Sequence, residues 1–432
     1  MAVPPRLIVS QSDVVSLPNM MKRFIRWMTD VFGPKANAFA ENPWISSVQD
    51  TMVSAVPVMI ISSFVTIVSI LNEYIENFPD FSYLSNFTMG LSSIMVAFLL
   101  PTIVLEKLDL PKYRKQAGFM GAVSFLAMSS ATIADGTFTV DASRLSASGM
   151  FVAIAAGLFT AFVMKLFSEN TFFGKDSRMP GFLADSFDSM APIMVIMIVM
   201  FLLCNVLHLD MYAIISLIVS PLINIAQSCF GMTLIVFLMA FLYSFGISPW
   251  IMQPVYYPVG LDALAKNAAA VAAGGKPFLA MTVETVSGWM MIGGTGCTLS
   301  LCILFLFCKS EKLKSLGKAS LVPSIFNINE PIVYGTIVFN PLLMIPMWIC
   351  PAVCSVITYL TMKAGLVTMP YRSFLLWYVP EPILPYMTNY DFRGVILVLA
   401  LILITAVIWY PFLMAYDKQC LKQEADSTGK TE

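Results

Sequence analysis

Apolar stretches recur along the whole chain, and they limit its fold more than any other feature. Ten such stretches lie at about residues 50–71, 88–105, 116–133, 149–166, 188–207, 211–227, 229–247, 287–308, 335–360 and 394–415. Each is long enough, or nearly so, to cross the hydrocarbon core of a bilayer, which takes about 20 helical residues. Because backbone polar groups inside a bilayer must be hydrogen-bonded within their own segment, such stretches form helices. The sequence therefore predicts an all-α polytopic membrane protein with about ten transmembrane helices.

The composition agrees with a membrane protein and excludes several other classes. Only 12% of the 432 residues are charged, against about 25% in a soluble domain. A net charge of -1 provides no basic face for nucleic acid. The eight cysteines and the single histidine, His208, form no cluster with metal-ligand spacing. We therefore expect membrane lipid around the protein, with no nucleic-acid partner, no metal site and no cofactor.

Basic residues collect on alternate connections between the apolar stretches. Four lysines or arginines lie in residues 107–115, four in residues 309–318 and two in residues 418–422, whereas residues 72–87 carry none. Positive charge is retained on the cytoplasmic side of a membrane. The pattern predicts a multi-pass protein of the bacterial cytoplasmic membrane with both termini in the cytoplasm.

Two segments leave the arrangement of the spans open. Residues 211–227 are short and contain Pro221, so they either span the membrane or lie in its interface. If they lie in the interface, part of residues 248–286 must cross instead. Residues 20–48 mix four basic side chains with aromatic and aliphatic ones, which is typical of an amphipathic helix on the membrane surface.

Residues 319–334 are apolar and contain helix-breaking residues, which predicts a re-entrant segment beside a cavity. Glu330 stands there among apolar neighbours, where an acidic side chain is costly and usually functional. Asn327 and Asn329 lie next to it in the chain. A carboxylate accepts hydroxyl protons and an amide both donates and accepts, so the three side chains suit a neutral polyhydroxylated ligand. The alternative is a structural cap at the cytoplasmic interface.

A glycine-rich motif is a second candidate for the same site. Gly293, Gly294 and Thr295 begin an apolar stretch, and the glycines allow close backbone approach either to a ligand or to another helix. A phosphate-binding loop is excluded, because no Lys-Ser/Thr pair follows.

Two aromatic motifs are further candidates. Ser248 and Trp250 follow an apolar stretch halted by glycine and proline, and Trp250 suits stacking on a sugar ring or anchoring in the interface. Trp377 and Glu381 lie in a proline-rich connection, where an aromatic residue near an acid is typical of a sugar site or of an aromatic belt.

Residues 314–346, around the motif Phe-Asn-Ile-Asn-Glu-Pro-Ile, closely resemble the IIC subunit of bacterial phosphoenolpyruvate-dependent phosphotransferase systems. The resemblance is to the lactose/cellobiose branch, which includes diacetylchitobiose permeases. Residues 41–57, 288–298 and 410–418 extend it over nearly the whole chain. It implies a homodimer of ten-helix subunits with re-entrant hairpins around a disaccharide, and sugar contacts from Asn329 and Glu330.

The resemblance also implies a division of the chain and a set of partners. The N-terminal tail and interfacial helix would comprise residues 1–48, the helical half with the dimer interface 49–210, the substrate-binding half 211–416, and the cytoplasmic tail 417–432. The phosphoryl-carrying IIA protein and the phosphocysteine donor IIB would be separate polypeptides.

Two departures from the family leave two interpretations. Ser248 stands where the family has the histidine of Gly-Ile-His-Gly, and Glu381 adds an acid to a stretch usually rich in threonine and proline. The first interpretation is import of a disaccharide with phosphorylation by IIB, in which Glu330 orients the hydroxyl and is a candidate general base. The second is a phosphorylation-independent facilitator or ion-coupled transporter, with Glu330 as a protonatable group. A membrane-embedded enzyme is disfavoured, because no nucleophile–base pair is found.

Overall fold

A computed structural model describes residues 23, 27–69, 71, 75, 78–110, 113–168 and 181–428. The described residues are mostly helical, as the sequence predicts. The predicted amphipathic helix over 20–48 lies partly outside the described residues. Its described part is π-helical at Met28–Phe32 and α-helical at Gly33–Ala40 (α1).

The N-terminal half is a set of packed helices with one short hairpin. Its α-helices are α2 (Pro43–Met59), α3 (Ile61–Val68), α4 (Ser82–Thr88), α5 (Ser92–Lys107), α6 (Arg114–Met128), α7 (Ala142–Leu145), α8 (Met150–Ser168) and α9 (Gly181–Met200). Short 3-10 helices lie at Met89–Leu91 and Ala147–Gly149, and a π-helix at Phe201–Val206. Strand β1 (Thr132–Ala134) pairs antiparallel with β2 (Thr137–Thr139), with Ile133 opposite Phe138.

Local sequence explains where α2 begins and why α5 and α6 approach closely. Asn42 accepts a hydrogen bond from the Trp44 N–H, and Pro43 fills the first helical position, where its missing N–H costs nothing.

Gly121 on α6 faces the backbone of Ala97 on α5, and a Cβ there would lie 2.1 Å from the Ala97 carbonyl oxygen. Only glycine allows this approach.

The C-terminal half contains short, broken helices between longer ones. Its α-helices are α10 (Met211–Ala226), α11 (Cys229–Ser244), α12 (Gln253–Ala272), α13 (Val283–Thr285), α14 (Leu299–Phe305), α15 (Glu311–Ile325), α16 (Glu330–Ile332), α17 (Pro341–Lys363), α18 (Ile383–Asn389) and α19 (Phe392–Thr428). A 3-10 helix lies at Pro249–Met252, and π-helices lie at Val286–Met290 and Val333–Ile337.

Six helical segments of the described chain are long and apolar enough to cross a membrane. They are Pro43–Val68, Tyr83–Lys107, Ala147–Ser168, Asp188–Val206, Pro341–Lys363 and Phe392–Ala425. These segments confirm six of the predicted apolar helices. A seventh candidate is the pair formed by α10 and α11, which is bent by 83°. The total of about ten spans stays a prediction.

Four of the predicted stretches differ from single spanning helices. Stretch 116–133 is helical only as far as Met128, where the 15-residue helix α6 ends, and its last residues belong to β1. Stretches 211–227 and 229–247 are helical, but the sharp bend joins them as a broken span or a re-entrant loop. Stretch 287–308 is wrong as one helix, because Gly293, Gly294 and Gly296 adopt φ of +71°, +95° and +98°. These left-handed conformations end a right-handed helix.

The basic segment 309–318, which we predict as a loop, is helical from Glu311 in α15. Ser310 is its N-cap and accepts a hydrogen bond from the Leu313 N–H. Asp417 on α19 accepts hydrogen bonds from the N–H groups of Lys309 and Ser310, both at 2.9 Å. The helix then runs to Ile325, so the predicted break over 319–334 is confined to residues 326–329.

Two large clusters of buried apolar side chains form most of the core, and a small third one lies at residues 374–387. The first draws mainly on residues 48–164, and the second on residues 240–420. Helix α11 contributes to both, with Met232 and Met239 in the first and Ala240 and Tyr243 in the second. The division of the chain at residue 211 stays a prediction.

Candidate functional site

Two interruptions of helical structure meet at a polar cavity of about 220 Å³. One is the glycine-rich turn between the π-helix at 286–290 and α14, and the other is the break between α15 and α16. The end of α11 and the connection at 370–382 complete the walls. The cavity is lined by Met239, Tyr243, Ser248, Pro249, Trp250, Met291, Thr295, Asn327, Asn329, Glu330, Tyr334 and Trp377.

Asn327 joins three segments around this cavity. Its Oδ1 accepts the Gly293 N–H at 2.8 Å, and its Nδ2 donates to the carbonyls of Trp377 at 2.7 Å and Val379 at 3.3 Å. Its φ of +61° is left-handed, a conformation that asparagine tolerates better than most residues. The side chain is 7% exposed, so its amide serves mainly to hold together the segments that surround the cavity.

Asn329 anchors the glycine-rich turn. Its Nδ2 donates to the Thr295 carbonyl and to the Thr298 Oγ1, both at 2.9 Å, while the Thr298 hydroxyl donates to the Gly293 carbonyl at 2.7 Å. The turn can approach this amide because Gly294 has no Cβ. The amide protons of both asparagines are thus committed to the protein.

Glu330 differs from both asparagines because its side chain is exposed. It is the first residue of α16, and its charge lies close enough to the phenols of Tyr243 and Tyr334 to act on them. Within the described residues its carboxylate has no hydrogen bond and no salt bridge. The carboxylate therefore faces the cavity as a free acceptor, rather than capping a helix.

Aromatic rings form two walls of the cavity. Trp250 and Trp377 pack edge to face with ring centroids 5.7 Å apart, and Tyr243 and Tyr334 do so at 5.9 Å. Ser248 is exposed at the rim and precedes the 3-10 helix at Pro249–Met252. Apolar ring faces beside polar groups are suited to the two faces of a sugar ring.

Comparison with known proteins decides the family. Residues 49–351 match the phosphotransferase system EIIC family. The chain belongs to this family. The match confirms the predicted family, and with it a sugar permease of the cellobiose, lactose and chitobiose type.

Individual EIIC relatives align over nearly their whole length. The chain is 31% identical to the oligo-beta-mannoside-specific EIIC component of Bacillus subtilis, over 91% of this chain and 94% of the relative. It is 30% identical to the cellobiose-specific EIIC component of Geobacillus stearothermophilus, over 94% of this chain and 98% of the relative.

A solved structure confirms the fold. The transporter ChbC, the IIC component from the N,N'-diacetylchitobiose-specific phosphotransferase system, superposes with a TM-score of 0.83. Its sequence identity is 26%, and the match covers 93% of this chain and 99% of ChbC. The homodimer stays a prediction.

Seven of the ten predicted site residues of this EIIC protein line the cavity. They are Ser248, Trp250, Thr295, Asn327, Asn329, Glu330 and Trp377. Gly293, Gly294 and Glu381 lie outside that lining. The Gly293 N–H donates to the Asn327 amide oxygen, and Gly294 lies against the Asn329 amide. Glu381 is buried, with 1% of its surface exposed.

Sequence reasoning missed five lining residues, namely Met239, Tyr243, Pro249, Met291 and Tyr334. Met239 and Tyr243 are one helical turn apart just before the end of α11, and Tyr334 is one turn after Glu330. Extending each break by one helical turn would have found Tyr243 and Tyr334, and a second turn along α11 would have found Met239, because side chains four residues apart share a face.

A second cavity, of about 290 Å³, lies between α8, α10 and α12. Its charged groups are Lys266 and Asp262, which pair at 2.6 Å. None of the predicted site residues lines it. No group of three or more His, Cys, Asp or Glu side chains in the described part of the chain could hold a metal ion.

Proposed function

We propose that this EIIC protein imports a β-linked disaccharide and presents it to a cytoplasmic IIB protein for phosphorylation. One observation carries the proposal: a free carboxylate, Glu330, faces a cavity framed by two buried amides and walled by two tryptophans. The relatives named for cellobiose, oligo-beta-mannoside and N,N'-diacetylchitobiose support a sugar of that class.

The chemistry of the cavity suits this substrate. One tryptophan face stacks on a sugar ring, Glu330 accepts a hydroxyl proton, and the hydroxyl groups of Tyr334 and Thr295 provide further polar contacts. In the transfer step, the phosphoryl group leaves the sulfur of IIB and forms a bond to the sugar oxygen. The hydroxyl proton passes to Glu330, since such transfer depends mainly on positioning and electrostatics.

The docking surface proposed for IIB is the beginning of α15. Lys309, Lys312 and Lys318 are exposed there, while Lys314 pairs with Glu311 at 2.8 Å. The other end of the same helix leads directly into the break that holds Asn327. A basic surface at this place would attract an acidic partner and orient it toward the sugar. This proposal requires α15 and both termini to be cytoplasmic.

A second candidate function is uncoupled or ion-coupled sugar transport. It is favoured by Ser248, which lies on the cavity where the family has a histidine. A serine hydroxyl does not titrate near neutral pH and cannot replace a histidine base.

Cellobiose binding to the purified protein tests the proposed site. Glu330→Gln keeps the size of the side chain but removes the charge, and charge-assisted hydrogen bonds are roughly twice as strong as neutral ones. We expect about a tenfold rise in Kd. Glu311→Gln removes an exposed charge outside the cavity and should bind as the wild type does. Equal affinities for all three proteins would contradict the proposed site.

A further inference from the structure

Glu381 is a buried acid to which no group of the described residues donates a hydrogen bond. Its side chain is 1% exposed, and neither carboxyl oxygen has a hydrogen-bond partner within the described residues. The Asn327 amide lies beside it, but both Nδ2 protons are directed to the carbonyls of Trp377 and Val379. Among the described residues, the Asn327 amide is thus the donor group beside Glu381, and its protons are held by other acceptors.

Among the described residues, no positive charge compensates Glu381. The titratable group that acts on Glu381 is the thiol of Cys297, which lies in the glycine-rich turn. That thiol donates to the Met290 carbonyl at 3.1 Å and lies 3.9 Å from the Cys354 sulfur on α17. No salt bridge to Glu381 is found among the described residues. A carboxylate that is buried without partners is strongly disfavoured, so the packed arrangement holds the neutral acid.

Ionisation of Glu381 would disturb the cavity. A charged carboxylate needs water or a donor, which it gains if the segment 377–382 moves or if the Asn327 amide turns away from its carbonyl partners. The same segment carries Trp377, which lines the cavity, and the two carbonyls that bind Asn327. Loss of the proton is therefore linked to loss of a cavity wall.

We propose that Glu381 is a proton-binding site, and that its proton must be bound for the cavity to hold sugar. Glu381 is a positioning residue, because it acts on the sugar through Trp377 and Asn327 and is not in the cavity lining. Sugar binding at alkaline pH then takes up one proton, which converts the carboxylate into the acid. This inference rests on the proposed sugar site.

The pH dependence of the cellobiose Kd tests this coupling. For the wild type we expect a constant Kd at low pH and, above the pH at which the free protein releases the proton, a rise of about tenfold per pH unit. Glu381→Gln is neutral at every pH and should lose this alkaline weakening.

Glu284→Gln is the matched control. Glu284 is also fully buried, but one of its oxygens accepts the Phe374 N–H at 3.4 Å, and it is not in the cavity lining. This variant should keep the alkaline weakening. Loss of the weakening in Glu284→Gln, or its persistence in Glu381→Gln, would overturn the proposal.

A second measurement needs only the wild type. Calorimetry of cellobiose binding in two buffers with different ionisation enthalpies gives the number of protons taken up, and we expect about one at alkaline pH. Binding without proton uptake would overturn the role of Glu381 and leave the sugar site intact. Absence of cellobiose binding at every pH would instead contradict the proposed function, and the coupling with it.

Discussion

An alanine at Gly294 should displace the amide that anchors the glycine-rich turn. Gly294 has φ of +95°, and a Cβ there would lie 2.5 Å from the Asn329 Cγ and 2.7 Å from its Nδ2. Both distances are far below van der Waals contact. Gly294→Ala therefore forces Asn329 to move, and Asn329 directly precedes Glu330.

The size of the effect follows from the bonds that are lost. Moving the Asn329 amide breaks its hydrogen bonds to the Thr295 carbonyl and the Thr298 Oγ1, at about 1 kcal/mol each. The left-handed backbone adds about 1–2 kcal/mol of strain for alanine. Gly365→Ala is the matched control, because Gly365 has φ of +72° and nothing lies within 4 Å of an added Cβ. The difference of about 2 kcal/mol corresponds to about 30-fold in Kd.

Calorimetric titration of the detergent-purified proteins with cellobiose measures this difference. We expect Gly365→Ala to bind within about twofold of the wild type, and Gly294→Ala about 30-fold more weakly. Both variants should elute as the wild type does in size-exclusion chromatography. Equal Kd values for the two variants would refute the role assigned to the contact between Gly294 and Asn329.

Three further changes have defined outcomes. Asn327→Gly keeps a left-handed backbone but loses the three hydrogen bonds of the Asn327 side chain, so cellobiose binding should weaken by up to about 100-fold. An unchanged Kd in calorimetry would contradict the structural role given to this side chain. Ser315→Cys, in a background without native cysteines, should resist a membrane-impermeant thiol reagent in intact cells, because the predicted topology places α15 on the cytoplasmic side; labelling from outside would reverse that topology. Ser248→His should change sugar preference or rate without being required for phosphorylation; sugar phosphate formed only by this variant would make the natural protein an uncoupled carrier.

Much of the helical architecture was predictable because it depends on local sequence. Asparagine before proline marks the beginning of α2, and long apolar stretches mark six of the spanning helices. The helix at 311–325 was missed because its basic first turns resemble a loop. Its capping partner, Asp417, is 107 residues away from Ser310 in the chain. The 83° bend between α10 and α11 depends on tertiary packing in the same way.

The candidate site, like the fold, was predictable only where it depends on local sequence. Polar residues at helix breaks in an apolar stretch were recognisable, because they are costly in a membrane unless they serve a purpose. The hydrogen-bond partners of these residues were not recognisable from the sequence. Asn327 binds partners 34 to 52 residues away, and Asn329 binds partners 31 and 34 residues away. Glu381 was grouped with the sugar contacts because its motif resembles a sugar site. Because Glu381 is buried beside Asn327, we propose that it positions the cavity wall by binding a proton and does not contact the sugar.

The proposed coupling of transport to phosphorylation can be measured in membrane vesicles oriented as in the cell. Such vesicles would carry this protein in the membrane and the cognate IIB protein, already phosphorylated on its cysteine, inside, and radiolabelled cellobiose would be added outside. We expect the label inside to be recovered as sugar phosphate, and to fall to background when IIB is omitted. Accumulation of free cellobiose at the same rate with and without IIB would contradict group translocation and favour the uncoupled carrier.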